Sequence, residues 1–230
     1  MANLSFDAVL FDCDGVLVDS ELITNRVLTS MLGELGWSLT VEETMQIFVG
    51  KAVKDEAPLI ESRTGVAITS EWLMQFRARR NEVLDRELVA IPGALLAVQA
   101  VHGQFNGRIA VASGADRHKV EMQLSKVGML DHFEGRIFSG HEMARSKPYP
   151  DVYLAAAKAL NVDPARCAIV EDTVTGVTAG VAAGATVFGF SPSEHGHSEP
   201  DALREAGAVQ VFHKMAELPA LLLEWKNHAR

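Results

Sequence analysis

The chain has 230 residues, of which 48% are hydrophobic and 22% are charged, a balance typical of a folded globular protein. Its formal net charge of −9 argues against nonspecific binding to nucleic acid or an anionic membrane, so an anionic ligand would need locally placed cations. No apolar stretch approaches the ~20 residues of a membrane span, no secretion signal opens the chain, and the two cysteines form no disulfide or zinc pattern, so we expect a soluble cytoplasmic protein.

The first predicted element is a buried strand at residues 6–11, an apolar run broken only by Asp7. Asp12 follows at the strand end, and Asp14 and Gly15 come soon after it. A turn at Gly15 would bring both carboxylates to one site. They repel there unless a cation lies between them, or unless one carries a proton and acts as a general acid. The alternative is a polar turn without chemistry, since Asp and Gly favour turns.

The next segment, residues 17–88, has apolar positions at helical spacing and shows no convincing strand. Helices are predicted at residues 22–35, 41–48, 53–63 and 70–88, and glycines lie between them. We therefore expect an all-helical domain at residues 17–88, inserted between the two parts of a second domain at residues 1–16 and 89–230.

From residue 91 onward, helical and strand patterns alternate. Strands are predicted at residues 108–113, around residue 137, and at 168–171, 186–190 and 209–212. Helices are predicted at residues 94–101, 117–127, 151–160 and 174–183 and at the end of the chain. This alternation is typical of an α/β fold, in which helices wrap a parallel sheet and ligands bind at the carboxyl ends of the strands.

Polar residues lie at the predicted ends of these strands. Asp12 ends the first strand, Ser113 and Gly114 end the second, Lys147 lies in the loop after the third, and Glu171 and Asp172 end the fourth. If the four strands are parallel neighbours, these residues converge at one edge of the sheet. The carboxylates then suit a hard cation such as Mg²⁺, and the hydroxyl and backbone amides suit an anion.

Each of these residues also has an ordinary structural interpretation. Asp172 can cap the helix that starts near residue 174, and Ser113 and Gly114 form a pair found in many strand-to-helix turns. Lys147 can be a solvated loop lysine, although the prolines that bracket it in SKPYP favour a fixed ammonium. Agreement among all the strand ends favours the functional interpretation.

Four stretches, in order, resemble the motifs of the haloacid dehalogenase superfamily. They are FDCDGVLVDS at residues 11–20, VASG at 111–114, SKPYPDVY at 146–153, and VEDT at 170–173 with the glycines that follow. The resemblance implies a doubly wound, Rossmann-like core with an inserted all-helical cap. It also implies a Mg²⁺ cofactor and the hydrolysis of a small phosphate monoester.

The motifs imply a role for each residue. Asp12 attacks phosphorus, and Asp14 serves as general acid and then general base. Lys147 neutralises negative charge at the reacting centre, and Ser113 is a further catalytic residue that stabilises the developing charge. Dehalogenases of this superfamily lack an acid at the position of Asp14, so its presence favours phosphoryl chemistry. The candidate metal ligands are Asp12, Asp14, Glu171 and Asp172, and the candidate phosphate-binding residues are Gly15, Ser113, Gly114 and Lys147.

Two other functions stay open. The mutase branch related to β-phosphoglucomutase shares the motifs, but Thr24 and Val53 stand where that branch carries a histidine and an arginine. A noncatalytic sensor of a phosphorylated metabolite would not require both Asp12 and Asp14.

The expected substrate is a sugar phosphate or a sugar-acid phosphate such as 6-phosphogluconate, because the chain resembles bacterial phosphatases that act on such compounds. The family places the loop that contains Gly50 and Lys51 over the site, where Lys51 either pairs with a substrate anion or is an ordinary surface lysine. His195 and His197 lie in a segment typical of a flexible loop rather than a metal site. We expect a monomer or a weak homodimer.

Overall fold

The computed structural model describes residues 5–192 and 198–225, and the chain divides into two compact units. The core unit contains Met1–Val18 and Ala90–Arg230, and the inserted unit contains Asp19–Val89. The sequence-based expectation for the insertion was residues 17–88.

The strands of the described residues are β1 (Ala8–Phe11), β2 (Val18–Asp19), β3 (Val89–Ala90), β4 (Ile109–Ser113), β5 (Ile137–Ser139), β6 (Cys167–Glu171), β7 (Thr186–Phe190) and β8 (Gln210–Phe212). The α-helices are α1 (Glu21–Glu34), α2 (Val41–Phe48), α3 (Ala57–Thr64), α4 (Ser70–Glu87), α5 (Ala94–Gln104), α6 (Arg117–Lys126), α7 (Asp151–Ala159), α8 (Val174–Ala182), α9 (Pro200–Glu205) and α10 (Leu218–Glu224). The short elements α9, β2 and β3 are absent from the prediction because they offer too few residues for a periodic pattern. Across the described ranges, we find no helix with the length and apolar character needed to cross a membrane.

One sheet of the core unit has the order β5-β4-β1-β6-β7-β8 over the described residues, and its strand pairs are parallel. β1, β4 and β6 are buried along their whole length, which explains why their sequences are nearly continuous apolar runs. The chain passes from β1 to β4 and β5 on one side and then returns to β6 on the other. The strand order therefore reverses at β1, the kind of position where α/β sheets bind ligands. The predicted α/β fold is confirmed.

Helix α8 packs very closely on the sheet at Gly180. A Cβ atom placed there would lie 2.7 Å from a methyl group of Val187 and 3.0 Å from one of Ile169. Both partners are fully buried in the apolar core that α8 shares with β6 and β7. The absence of a side chain at Gly180 thus sets the distance between helix and sheet.

The inserted unit has its own apolar core, formed by α1 to α4. The buried residues of this core are Leu28, Met31, Leu32, Phe48, Ile60 and Phe76. A capping box in which Thr40 and Glu43 bond each other's backbone N–H groups fixes the start of α2. α3 begins at Ala57 rather than at the predicted residue 53, because the preceding residues form turns such as the bond from Asp55 N–H to Ala52 O at 2.8 Å.

Alanine substitution should have opposite effects at two helical glycines of the core unit. We expect Gly180→Ala to lower the free energy of unfolding by about 1–2 kcal/mol, because the methyl group overpacks the helix–sheet contact. The matched control is Gly103→Ala in α5, where the added Cβ meets no atom within 4 Å other than those of its chain neighbours and its own helix backbone, and it should stabilise by about 0.5–1 kcal/mol. Urea unfolding measures both changes. Equal stabilisation by the two substitutions would contradict the close contact at Gly180.

Candidate active site

The candidate site lies where three neighbouring strands of the sheet end. Asp12 directly follows β1, and its N–H donates to Val170 O of β6 at 3.0 Å. Ser113 is the last residue of β4, and Glu171 is the last residue of β6. Because β4, β1 and β6 are adjacent and parallel, these side chains begin at the same edge of the sheet.

A tight turn follows Asp12. Gly15 has a φ of +76°, which L side chains rarely adopt, and its N–H donates to Val18 O at 2.9 Å. Leu17 N–H donates to Cys13 O, also at 2.9 Å, so the chain reverses within a few residues. The turn expected at Gly15 is therefore present.

Two residues of α6 that sequence analysis did not single out bind the carboxylate of Asp14. Lys119 Nζ lies 2.8 Å from Asp14 Oδ1, and Gln123 Nε2 lies 2.9 Å from the same oxygen. Lys119 is only 4% exposed, and Gln123 is fully buried. Their i, i+4 spacing was the available signal, because it places both on one face of the helix. Lys and Gln at this spacing are also common on exposed helices, so the pattern alone does not identify them.

Lys147 joins two of the predicted acids. Its Nζ lies 2.7 Å from Asp12 Oδ1 and 2.6 Å from Glu171 Oε1, and its side chain is 8% exposed. Burial disfavours the charged ammonium, but the negative charges of Asp12 and Glu171 outweigh it and raise the pKa of Lys147 well above its usual value. The lysine is thus a fixed, buried cation and not the solvated loop residue of the ordinary interpretation.

Both carboxylate oxygens of Glu171 accept hydrogen bonds. Oε1 binds Lys147 Nζ and, at 2.7 Å, the hydroxyl of Tyr153. Oε2 accepts from the N–H groups of Asp172 at 3.0 Å and Thr173 at 3.2 Å, and from the Thr173 hydroxyl at 3.2 Å. These bonds hold the carboxylate at the N-terminus of α8, where the helix dipole also favours negative charge. The N-cap of α8 is Thr173, which excludes the interpretation of Asp172 as the cap.

Gly176 leaves the space that the Glu171 carboxylate occupies. A Cβ atom on Gly176 would overlap the carboxylate, which is fully buried. Gly176 is the third residue of α8, and its N–H donates to Thr173 Oγ1 at 3.1 Å. The first turn of α8 therefore requires a residue without a side chain at this position.

Three acids can offer oxygen atoms to one cation. Asp12, Glu171 and Asp172 are buried, and one ligand atom from each lies within 4.8 Å of the others. Burial raises the pKa of Asp12, Lys147 opposes this shift, and the charges of Glu171 and Asp172 add to it. Such a density of buried negative charge favours a cation, and a set of carboxylate oxygens fits a hard divalent metal. Asp14 is not a member of this group of three.

The loop after β4 combines a hydroxyl with the start of a helix. Ser113 is almost fully buried, and its Oγ accepts from Ala115 N–H at 3.1 Å. Ser139, at the end of β5, donates to Ala115 O at 2.6 Å and so ties the loop to the next strand. Asp116 caps α6 by accepting from Lys119 N–H at 3.0 Å. A hydroxyl before a capped helix is a suitable place for an anion.

The remaining predicted residues belong to the inserted unit or to segments outside the described ranges. Gly50 and Lys51 belong to the inserted unit, between α2 and α3, where Lys51 Nζ lies 3.7 Å from a carboxylate oxygen of Glu56. Gly50 has a φ of +75° and so turns the chain after α2. His195 and His197 lie outside the described residues.

Comparison with known proteins gives the family. The model of the haloacid dehalogenase-like hydrolases matches residues 6–184. The chain belongs to this family. It is 34% identical to 6-phosphogluconate phosphatase from Escherichia coli over 221 residues, which cover 96% of this chain and 95% of that protein.

Two similar solved structures contain phosphate. A family hydrolase from Deinococcus radiodurans with bound phosphate and sodium is 34% identical, has a TM-score of 0.76, and is matched over 96% of this chain and 97% of that one. CbbY from Rhodobacter sphaeroides in complex with phosphate is 25% identical, also has a TM-score of 0.76, and is matched over 93% and 96%. The predicted family and the predicted enzyme class, a phosphatase, are confirmed by these comparisons and the family match.

Both thiols should be unreactive in the folded protein. Burial, with the charges of Asp14 and Asp12, raises the pKa of Cys13 well above its usual value, and burial raises the pKa of Cys167 to about 12. The thiolate is the reactive form, so neither cysteine should react with an aromatic disulfide reagent at pH 8 while free cysteine reacts fully. In guanidinium chloride, both should react. A thiol that reacts without unfolding would contradict the buried placement.

Gly176→Ala should impair the site through Glu171. The methyl group must displace the carboxylate, so we expect weaker binding of a divalent metal ion and a lower kcat for phosphate release, each by about 10–100-fold. Calorimetry and a phosphate assay measure the two effects. Thr178→Ala, at an exposed position of the same helix, is the matched control. A Gly176→Ala protein with wild-type values would show that the carboxylate is not held as described.

Proposed function

We propose that the chain is a Mg²⁺-dependent phosphatase that hydrolyses a sugar phosphate or sugar-acid phosphate through an aspartyl-phosphate on Asp12. The observation that carries this proposal is the position of the Asp12 carboxylate. It binds the buried ammonium of Lys147 at 2.7 Å and also belongs to the three-acid group that can hold a metal. A carboxylate between two cationic groups can approach a phosphate ester without strong charge repulsion.

The proposed reaction has two steps. In the first, an Asp12 oxygen bonds to phosphorus, the bond from phosphorus to the ester oxygen breaks, and Asp14 gives its proton to that oxygen. In the second, water attacks the phosphorus of the aspartyl-phosphate and Asp14 takes a proton from the water. The bond from phosphorus to the Asp12 oxygen breaks, so inorganic phosphate leaves and the Asp12 carboxylate is restored. Lys147, Ser113 and the backbone amides at Gly114 stabilise the charge on the phosphoryl oxygens in both steps.

For the metal, we propose that Asp12 and Asp172 are direct ligands. Glu171 already accepts hydrogen bonds at both oxygens, which supports contact through water. When bound, Mg²⁺ would neutralise charge on Asp12 and on a phosphoryl oxygen. The bonds from Lys119 and Gln123 support the acid–base role of Asp14 over the role of ligand that the sequence left open.

Similarity to 6-phosphogluconate phosphatase supports a sugar-acid phosphate, because the two proteins match over nearly their full lengths. A strongly anionic substrate needs cations beyond Lys147, since the chain carries a net charge of −9. We propose that Lys51 supplies one of them and pairs with the substrate carboxylate, with Gly50 shaping the loop that carries it. The buried thiols fit a reducing compartment, so we also propose a cytoplasmic location. We further propose that the protein is a monomer or weak homodimer and that it does not act on nucleic acid.

The first test is phosphate release from a panel of phosphosugars and sugar-acid phosphates with Mg²⁺. We expect turnover by the wild type, loss of more than about 10³-fold in Asp12→Asn, and a labelled aspartyl-phosphate that can be trapped on the wild type. Lys51→Ala should raise KM for the best sugar-acid phosphate by about tenfold, while Lys54→Ala, the matched control, should leave KM unchanged.

Other outcomes would replace this proposal. Isomerised sugar phosphate without released phosphate would point to a mutase, and binding without turnover would point to a sensor. Two observations favour hydrolysis over the mutase. Thr24 stands on α1 in place of the mutase histidine, and Val53 packs against the apolar core of the inserted unit in place of an arginine.

A further inference from the structure

We propose that Lys119 and Gln123 are positioning residues that hold the Asp14 carboxylate in the orientation needed for proton transfer. This inference rests on the proposed function, in which Asp14 is the general acid and base. Neither residue belongs to the four motifs that carry the family resemblance. Both act on the reaction only through Asp14.

Two donors hold one oxygen of the Asp14 carboxylate. Lys119 Nζ and Gln123 Nε2 both donate to Asp14 Oδ1, at 2.8 and 2.9 Å. A carboxylate held by two converging hydrogen bonds keeps one orientation, so it meets the ester oxygen and the water from a fixed direction.

The two donors are themselves held in place. Lys119 and Gln123 are one turn apart on α6, and the cap from Asp116 to Lys119 N–H fixes the start of that helix. The Cys13 thiol lies 3.7 Å from Gln123 Oε1 and donates to it. This contact sets the orientation of the amide, with its NH₂ group toward Asp14.

Burial of Lys119 argues for a role beyond packing. A lysine that is 4% exposed is rare, because burial removes the ammonium from water, and such a charge persists only where a partner requires it. Asp14 supplies that partner, and its side chain is 13% exposed. When Asp14 gives up its proton to the departing oxygen, the nearby ammonium stabilises the carboxylate that forms.

The site thus assigns one lysine to each aspartate. Lys147 binds Asp12, and Lys119 binds Asp14, each by a bond shorter than 3 Å from a nearly buried side chain. The two aspartates, only two residues apart in the chain, each have a cationic partner of their own. Lys147 therefore serves the proposed nucleophile Asp12, and Lys119 serves the proposed acid and base Asp14.

The test compares an ester that needs a proton on its leaving group with one that needs little help. 6-Phosphogluconate releases an aliphatic alcohol, whereas p-nitrophenyl phosphate releases a weakly basic phenolate. In Lys119→Met and Gln123→Leu, we expect kcat/KM, which reports the first step, to fall at least about tenfold more for 6-phosphogluconate than for the aryl ester. Lys119→Arg should recover part of the loss, because it restores a cation at this position.

Lys126→Met is the matched control, because Lys126 is an exposed residue of the same helix, and it should keep the wild-type ratio of the two rates. Circular dichroism and thermal unfolding establish that each variant folds, and if Lys119→Met does not fold, Lys119→Arg and Gln123→Leu decide the question. Equal losses of kcat/KM on both esters, or a higher kcat/KM with 6-phosphogluconate, would overturn the positioning role alone. If the wild type does not act on 6-phosphogluconate, the best substrate of the phosphosugar panel takes its place in this comparison. A wild type that releases phosphate from no member of the panel and not from the aryl ester would overturn the proposed function and this inference together.

Discussion

The buried ammonium of Lys147 is the interaction on which the arrangement of the site depends. The Lys147 side chain is only 8% exposed, and a buried ammonium is stable only when partners replace the water that it has lost. Asp12 and Glu171 are these partners, and they lie at the ends of adjacent strands. Removal of either acid would leave the lysine with only one of its two carboxylate partners. Because β1 and β6 are neighbours in the sheet, Asp12 and Glu171 can both reach Lys147 and keep it charged beside the proposed nucleophile.

Glu171 transmits this constraint to the rest of the core unit. Its carboxylate links Lys147 and Tyr153 on one side to the first turn of α8 on the other, over the bare backbone of Gly176. One turn further along α8, Gly180 brings the same helix close to the sheet. Gly176 thus leaves space for the Glu171 carboxylate, and Gly180 sets the distance between α8 and the sheet. Both requirements concern volume rather than charge.

Much of the fold and most of the core site follow from short-range patterns in the sequence. Strand ends such as Asp12 and Glu171 are recognisable because apolar runs stop there, and parallel pairing then brings the ends together. The roles of Lys119 and Gln123 cannot be predicted in this way. Their burial depends on the contact between α6 and the turn at Asp14, and a helical pattern does not encode such a long-range contact. The late start of α3 has a local cause, since the turns before it compete with helix formation in a segment of similar composition.

The inserted unit enters and leaves the core through strands β2 and β3, which pair with each other in a small sheet of their own. A segment whose two ends meet in this way can lengthen, shorten or be exchanged for another without moving the strands on either side. The acids and lysines at the strand ends and on α6 all lie outside that segment, namely Asp12, Asp14, Lys119, Lys147, Glu171 and Asp172. In evolutionary terms, the inserted unit can change in sequence and length while the residues at the strand ends of the core unit stay the same.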